Sequence, residues 1–324
     1  MWSWLYLAAV LAGLYLLRRW RRERQTVPKL SEKFVLITGC DSGFGNLLAR
    51  RLDARGLPVL AACLTEAGAA RLRAEASSRL QTVLLDVTSS QSIAAAAAWV
   101  RERVGSRGLW GLVNNAGVLG FVGPAEWLTK EDFAKALDVN LLGLIEVTLS
   151  LLPLLRQARG RVVNVASVAG RISFFSGGYC ISKYGVEAFS DSLRREMRPF
   201  GVQVSIIEPG SFRTTLTDTR ALLKNLEHLW GRLPAETQAA YGQGYIQAYT
   251  KVSVRLYPLV STRLSIVTDA MEHALLACHP RSRYSAGWDS WLVFLPLSYC
   301  PTWFIDAIVS FIMPSKPREP LTRP

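Results

Sequence analysis

FVLITGCDSGFGNLLARRLDARG, residues 34–56, carries three local signals in immediate succession. FVLIT (34–38) is an unbroken apolar run of strand length, the composition of a strand covered on both faces. NLLARRLDARG then spaces its apolar residues at helical intervals. TGCDSGFG (38–45) lies between them and sets three glycines at the turn from strand to helix. Gly39 permits a tight turn, Gly43 lets the backbone approach a pyrophosphate, and Gly45 permits close helix packing. Amides at the helix start would then face the phosphates. No Gly-Lys-Ser/Thr follows, so the spacing is not that of a nucleotide-hydrolysing loop. An ordinary glycine turn competes with this reading until the strand and helix around it are counted.

Outward from this stretch the same alternation repeats. LPVLAACL (57–64), LQTVLLDV (80–87), LWGLVNNAG (109–117), GRVVNVAS (160–167) and GVQVSIIEPG (201–210) read as further strands. EAGAARLRAEA, SIAAAAAWVRERVG, the run from Glu131 to Arg156 and the segment from Tyr179 to Arg198 are helical in composition. Strict alternation calls for an α/β fold: a doubly wound parallel sheet with helices on both faces and ligands beyond the carboxyl ends of the strands. No Pro-, Gly- or Ser-rich linker divides the chain, so residues 29–290 form a single domain, with residues 212–260 breaking the alternation as a helical cap over the site.

The flanks differ in character. Residues 2–17, WSWLYLAAVLAGLYLL, carry no charge, and RRWRRER (18–24) follows, holding part of a net charge of +13. The apolar run is slightly short for a perpendicular span of about 20 residues. Trp2, Trp4, Tyr6, Tyr15 and Trp20 sit near its ends, where aromatic rings favour the membrane interface. A basic leading region and a small-x-small cleavage site are both missing, which separates residues 1–28 from a cleaved signal peptide and makes them a membrane anchor with a basic flank. Arginines on the far side place the following domain in the cytosol. The basic balance is not accompanied by zinc spacing or RNP-like aromatics, so membrane lipid is the expected partner and nucleic acid is not. Residues 291–324 are again apolar, interrupted by Pro296, Pro301 and Asp306, and either rest on a membrane or gate a hydrophobic substrate. Five cysteines without a C-x-x-C and three scattered histidines point to neither a disulfide framework nor a metal site.

Two further groups fall at strand ends. Asn114, Ala116 and Gly117 of NNAG suit a cofactor-lining turn, though these residues are common turn formers anywhere. Asp86, ending the third strand, faces an adenine or caps a helix. The third group is Ser167 at the end of the fifth strand, with Tyr179 and Lys183 opening the next helix. Residues four apart on a helix share a face, so Tyr179 lies beside Lys183 while Tyr184 is directed elsewhere and packs. Tyr-x-x-x-Lys alone is weak in a chain with ten tyrosines; its position after the fifth strand is what gives it weight. Cys180, next to Tyr179, is expected to be buried and inert.

TGCDSGFG, NNAG, Asn140, Ser167, Tyr179-x-x-x-Lys183 and PGSFRT (209–214), in this order, resemble the short-chain dehydrogenase/reductase family over residues 33–215. ITGCDSGFGNLLAR, GLWGLVNNAG, AFSDSLRRE and HPRSRYSAGWD extend the likeness to microsomal retinol dehydrogenases and their 3α/17β-hydroxysteroid dehydrogenase relatives. The resemblance implies a Rossmann-type fold and oxidation of lipophilic alcohols, retinol to retinal or hydroxysteroid to ketosteroid. The setting it implies is the endoplasmic reticulum membrane, with a homodimer left open. It implies Tyr179 as the acid/base, Ser167 as donor to the substrate oxygen, and Asn140 as holder of a relay water. Lys183 would lower the phenol pKa from its ordinary value near 10 and hold the nicotinamide ribose. Thr38, Gly39, Asp41, Ser42, Gly43, Phe44, Gly45, Cys63, Asp86, Asn114, Ala116, Gly117, Pro209, Gly210 and Thr214 fall at cofactor-binding positions of the family. Cys63 stands where NAD-preferring members carry an acid, and Leu64 and Thr65 after it offer no cation for a 2′-phosphate, which favours NAD over NADP. NADPH-driven carbonyl reduction and a catalytically idle lipid-binding scaffold are the alternatives.

Overall fold

The structure is a computed structural model that describes residues 2–175, 177–256 and 260–312, so residues 313–324 of the apolar C-terminal segment and 257–259 of the cap segment lie outside it. Seven parallel strands form one sheet in the order β3-β2-β1-β4-β5-β6-β7. They are β1 Val35–Thr38, β2 Val59–Cys63, β3 Gln81–Leu84, β4 Gly111–Asn114, β5 Arg161–Val165, β6 Gln203–Pro209 and β7 Arg283–Ala286. Six of them are where the apolar runs place them. The seventh is a short edge strand, RYSA, whose alternating burial leaves only Tyr284 and Ala286 inside. Two apolar contacts in four residues are too weak a pattern to stand out from a loop.

Helices follow the strands in turn. α1 (Trp2–Glu23) precedes the sheet; α2 (Gly43–Ala54), α3 (Glu66–Ala74) and α4 (Ser90–Val104) separate the first four strands. Between β4 and β5 run α5 (Lys130–Leu137) and α6 (Gly143–Ala158), joined by a π-helical turn, Asp138–Leu142. α7 (Gly178–Met197) connects β5 to β6. Next come α8 (Thr219–Gly231), α9 (Ala235–Tyr241) and α10 (Gln243–Leu256), then α11 (Ser265–Leu276) before β7. After β7 a π-helical turn, Ser290–Phe294, continues into α12 (Leu295–Leu297), and α13 (Thr302–Ile312) ends the described chain.

The period-2 alternation of β1 divides the core. Val35 and Ile37 pack with Leu48 and Leu52 of α2 and with Val267 and Met271 of α11. Leu36 turns to the other face, with Ile93 and Val100 of α4 and Leu151 and Leu155 of α6. The strand order reverses direction between β1 and β4, and at such a switch point the loops diverge and leave a crevice beyond the carboxyl ends.

Helices α8–α10 form a small layer of their own. Trp127 is 2 % exposed and takes edge-on contacts from Trp230 at 5.3 Å and Tyr241 at 5.2 Å. Arg232 fastens this layer to the main domain, pairing with Asp132 and donating to the Trp127 carbonyl at 3.0 Å. Along α1, among the described side chains, Tyr6, Val10, Leu11, Leu14 and Leu17 are all exposed. Among the described residues, the run both long and apolar enough to cross a bilayer is Lys130–Ala158, but its Val147, Leu151 and Leu155 are buried in the domain core.

Candidate active site

The glycine loop is shaped by packing at two glycines and by open space at the third. A Cβ on Gly39, at φ +70°, would lie 2.8 Å from the Ala116 Cα, and one on Gly45 would lie 2.4 Å from the Gly39 carbonyl oxygen. Gly43, at φ +62°, meets nothing within 4 Å. Ser42 precedes α2 without capping it through its side chain, so the first amides of that helix remain available to an anion. This combination of a sealed base, an open crest and uncapped amides fits the pyrophosphate of a dinucleotide. Ser42 Oγ instead meets Thr215 Oγ1 at 3.2 Å, joining the loop to the segment after β6, and Phe44 packs edge-on against Phe212 at 5.7 Å.

The turn after β4 is bolted to the glycine loop. Thr38 Oγ1 accepts from the Asn115 and Ala116 amides, both at 3.0 Å, and Asn115 Nδ2 donates to the Thr38 carbonyl at 2.9 Å and the Gly39 carbonyl at 3.1 Å. Thr38 is therefore a buried brace between the two loops. Asn114 is likewise buried: its Nδ2 donates inward to Thr148 Oγ1 and Asn164 Oδ1, both at 2.8 Å, and Asn164 donates on to Ser190. Side chains alternate along a strand, so Asn114 turns into the core and Asn115 takes the loop-shaping role. The NNAG pair alone could not distinguish the two.

At the end of β2 the expected Cys63 is fully buried, and burial pushes its thiol up to about 11. The group that occupies the rim is Asp41, from the glycine loop. Its carboxylate accepts from the Leu64 amide at 2.7 Å, the Thr65 amide at 3.0 Å and the Thr65 hydroxyl at 2.7 Å. Arg73, the cation nearby, is paired with Glu66. Asp86 closes a local turn by accepting from the Thr88 amide at 2.9 Å and its hydroxyl at 2.7 Å; Ser89 caps α4.

Ser167, Tyr179 and Lys183 come together where β5 runs out. Gly177, at φ +123°, lets the chain enter α7 tight against the Phe121 carbonyl. Lys183 is 5 % exposed; its Nζ donates to the Val165 carbonyl at 2.8 Å and lies 5.7 Å from the centre of the Tyr179 ring. Burial pulls the ammonium down to about 8, opposed by the Glu187 carboxylate. Burial pushes Tyr179 up to about 12, opposed by its hydrogen bond with Ser167. Asn140 sits on the π-helical turn, fully buried, and clamps Val118, accepting from its amide and donating to its carbonyl, both at 2.8 Å; Nδ2 also reaches Ser182 Oγ at 3.0 Å. Gly117 leaves room here, since a Cβ would lie 3.2 Å from Asn140 Oδ1 and 3.8 Å from Lys183 Nζ. The loop after β6 closes the ring: Gly210 packs on Asp289 with no space for a Cβ, and the Thr214 amide donates to Thr217 Oγ1 at 3.0 Å.

Residues 33–223 match the family model described as short chain dehydrogenase. The chain belongs to the short-chain dehydrogenase family. It is an oxidoreductase that works with a nicotinamide cofactor, as that family does. Among its relatives, this dehydrogenase is 60 % identical to retinol dehydrogenase 16 of Rattus norvegicus over 318 residues, covering 98 % of the chain and 100 % of the relative. It is 58 % identical to 17-beta-hydroxysteroid dehydrogenase type 6 of Homo sapiens over 316 residues, covering 98 % and 99 %. A short-chain dehydrogenase from Burkholderia phymatum, solved in complex with NAD, superposes with a TM-score of 0.68 at 24 % identity, covering 90 % of this chain and 98 % of that one. At that identity the superposition establishes the fold.

Proposed function

We propose that this dehydrogenase oxidises lipophilic alcohols, retinol to retinal or a hydroxysteroid to a ketosteroid, with NAD, at the endoplasmic reticulum membrane. The observation that carries the chemistry is the convergence of Ser167, Tyr179 and Lys183 at the carboxyl end of β5, beside an open glycine loop. Retinol and a hydroxysteroid are named in relatives that share about three residues in five with the chain along nearly its full length.

The loop of Gly39, Gly43 and Gly45, the end of β2, Lys183 and Thr214 would hold the cofactor, which supplies the hydride acceptor. The chain's own residues manage the oxygen and its proton. Ser167 donates a hydrogen bond to the substrate oxygen, and Tyr179 Oη receives the alcohol proton. A phenol raised by burial is a poor base, so its ionisation would await the positive charge that an oxidised nicotinamide brings. Lys183 is held at 2.8 Å from the Val165 carbonyl, one helical turn from the phenol, and stabilises the phenolate through space without bonding to it. Asn140 keeps the π-helical turn and Val118 in register, and its role is positioning.

Cofactor preference follows from Asp41. A carboxylate anchored by three hydrogen bonds at the end of β2 accepts from ribose hydroxyls and repels a 2′-phosphate, which gives NAD preference over NADP. Exposed apolar side chains along α1, a helix about 33 Å long at 1.5 Å per residue, support membrane anchoring of residues 1–28. Trp291, Tyr299, Trp303 and Phe311 add a second exposed aromatic surface on residues 291–312. Helices α8–α10 cap the domain at residues 212–260. Leu142, Leu149, Ile181 and Tyr184, exposed on α6, α7 and the turn before α6, support self-association as a homodimer.

The direct test incubates membranes containing the full chain with NAD and a panel of retinols and hydroxysteroids and follows aldehyde or ketone. Product from none of them overturns the substrate class. Faster turnover with NADPH and the corresponding carbonyls overturns the direction and the cofactor.

A further inference from the structure

At the opposite end of the sheet from Tyr179, the last turns of α7, the start of β6 and the loop before β7 enclose a cleft of about 390 Å³. Arg194, Arg195, Arg198 and Arg281 line it, over a floor that includes Val202 and Val204, and no acidic residue lines it. Two of the four guanidiniums are neutralised: Arg194 pairs with Asp191 at 3.3 Å, and Arg281 Nε donates to the Glu23 carboxylate at 3.1 Å. Arg195 and Arg198 have no ion-pair partner among the described residues, and the Arg194 Nε is buried without a hydrogen-bond acceptor. The remaining acid close in sequence, Glu196, stands outside the lining. A concave site with two uncompensated cations and an unsatisfied buried donor calls for an anion with several acceptor oxygens.

Its position selects which anion. Glu23 is the final residue of α1, and the same loop that supplies Arg281 holds the chain leaving α1: the Cys278 amide donates to the Gln25 carbonyl and the Val27 amide to the Leu276 carbonyl, both at 2.8 Å. The cleft is thus fixed beside the point where the apolar helix meets the domain. We propose that this cleft binds the phosphate headgroup of an anionic phospholipid and so fixes the orientation of the domain on the bilayer. The proposal rests on the membrane placement of α1. Guanidiniums suit this ligand because their paired N–H groups match phosphate oxygens, and near a membrane each basic side chain adds to the attraction for anionic lipid.

The test reconstitutes the full chain into nanodiscs of phosphatidylcholine alone, or of phosphatidylcholine with phosphatidylinositol, extracts it in neutral detergent and counts the lipid retained by native mass spectrometry. The wild-type chain retains phosphatidylinositol. Arg195→Ala with Arg198→Ala weakens that retention on the order of 30-fold, whereas Arg195→Lys with Arg198→Lys, which keeps the charge and loses the paired donors, weakens it less, and Arg21→Ala with Arg22→Ala, outside the cleft, weakens it less than the alanine pair within the cleft does. Equal retention by the double-alanine variant and the wild type overturns the proposal. So does an outcome in which inorganic phosphate occupies the cleft and no lipid is retained. Incorporation into phosphatidylcholine alone is the separate readout for α1: failure there removes the anchor, while incorporation without selective retention removes only the cleft.

Discussion

The Lys183 ammonium lies 5.7 Å from the centre of the Tyr179 ring and gives its hydrogen bond to the Val165 carbonyl, 2.8 Å away, rather than to the phenol. One helical turn brings the two residues to the same face, but β5 decides where the lysine points. The buried amine needs an acceptor, and the carbonyl at the end of that strand is the one in reach. The phenol's direct partner is instead Ser167.

Replacing Tyr179 with Phe removes the proton-accepting oxygen and leaves the ring packing against Phe175, 6.2 Å away. Turnover should fall by about 10²- to 10⁴-fold with the melting temperature nearly unchanged. Activity equal to that of the parent chain would reject Tyr179 as the base.

Asp41→Asn keeps the shape of the carboxylate and removes its charge. Binding of NADPH, followed by quenching of intrinsic fluorescence, should tighten roughly tenfold relative to NADH at low ionic strength, with the gain shrinking in high salt as Coulomb screening requires. A ratio unmoved by the substitution would place cofactor selection elsewhere.

Asn140→Ala removes both hydrogen bonds that hold Val118 and, in the buried interior, the donor to Ser182 Oγ. Leaving buried polar groups without partners costs about 1–3 kcal/mol, so chemical denaturation should shift by that amount. If Asn140 served only a proton relay, activity would fall while the denaturation midpoint held.

Glu187, one turn beyond Lys183, shares Arg283 with Glu208 and Asp191 and has one buried oxygen without a partner. Burial, and then the Glu208 carboxylate, push its carboxyl from 4.5 up to about 7. Between those values the folded chain keeps a proton that the unfolded chain has released. Stability from this group is complete below pH 4.5 and is lost as pH rises through 7. In Glu187→Gln that part of the decline should be absent, measured as the difference in urea midpoint between pH 5 and pH 7.5. A variant that loses stability as steeply as the parent over this interval would show that Glu187 is ionised throughout.

Six of the seven strands and the helices between them are legible as apolar runs and helical spacing, because a parallel sheet buried on both faces must be written in nearly continuous hydrophobic residues. β7 is not legible, since an edge strand with two buried side chains needs little apolar sequence. The π-helical turn at Asp138–Leu142 is equally silent: an extra residue in a helix changes which face Asn140 occupies without changing composition. The glycine spacing, Ser167, Tyr179 and Lys183 stand out because each chemical role demands a residue type at a fixed place in the alternation.

The sequence by itself determined that a strand, a glycine turn and a helix repeat into a parallel sheet, and that a tyrosine–lysine pair opens the helix after the fifth strand. These are local consequences of side-chain size, polarity and period. Only the tertiary structure decided that the Asn114 amide turns to the core, that the Asp41 carboxylate bonds at the end of β2 while Cys63 is buried, and that Lys183 bonds to Val165. Each of these depends on which partner satisfies a polar group. That partner lies on another element of the fold, tens of residues away along the chain in two of the three cases, beyond the reach of any local pattern.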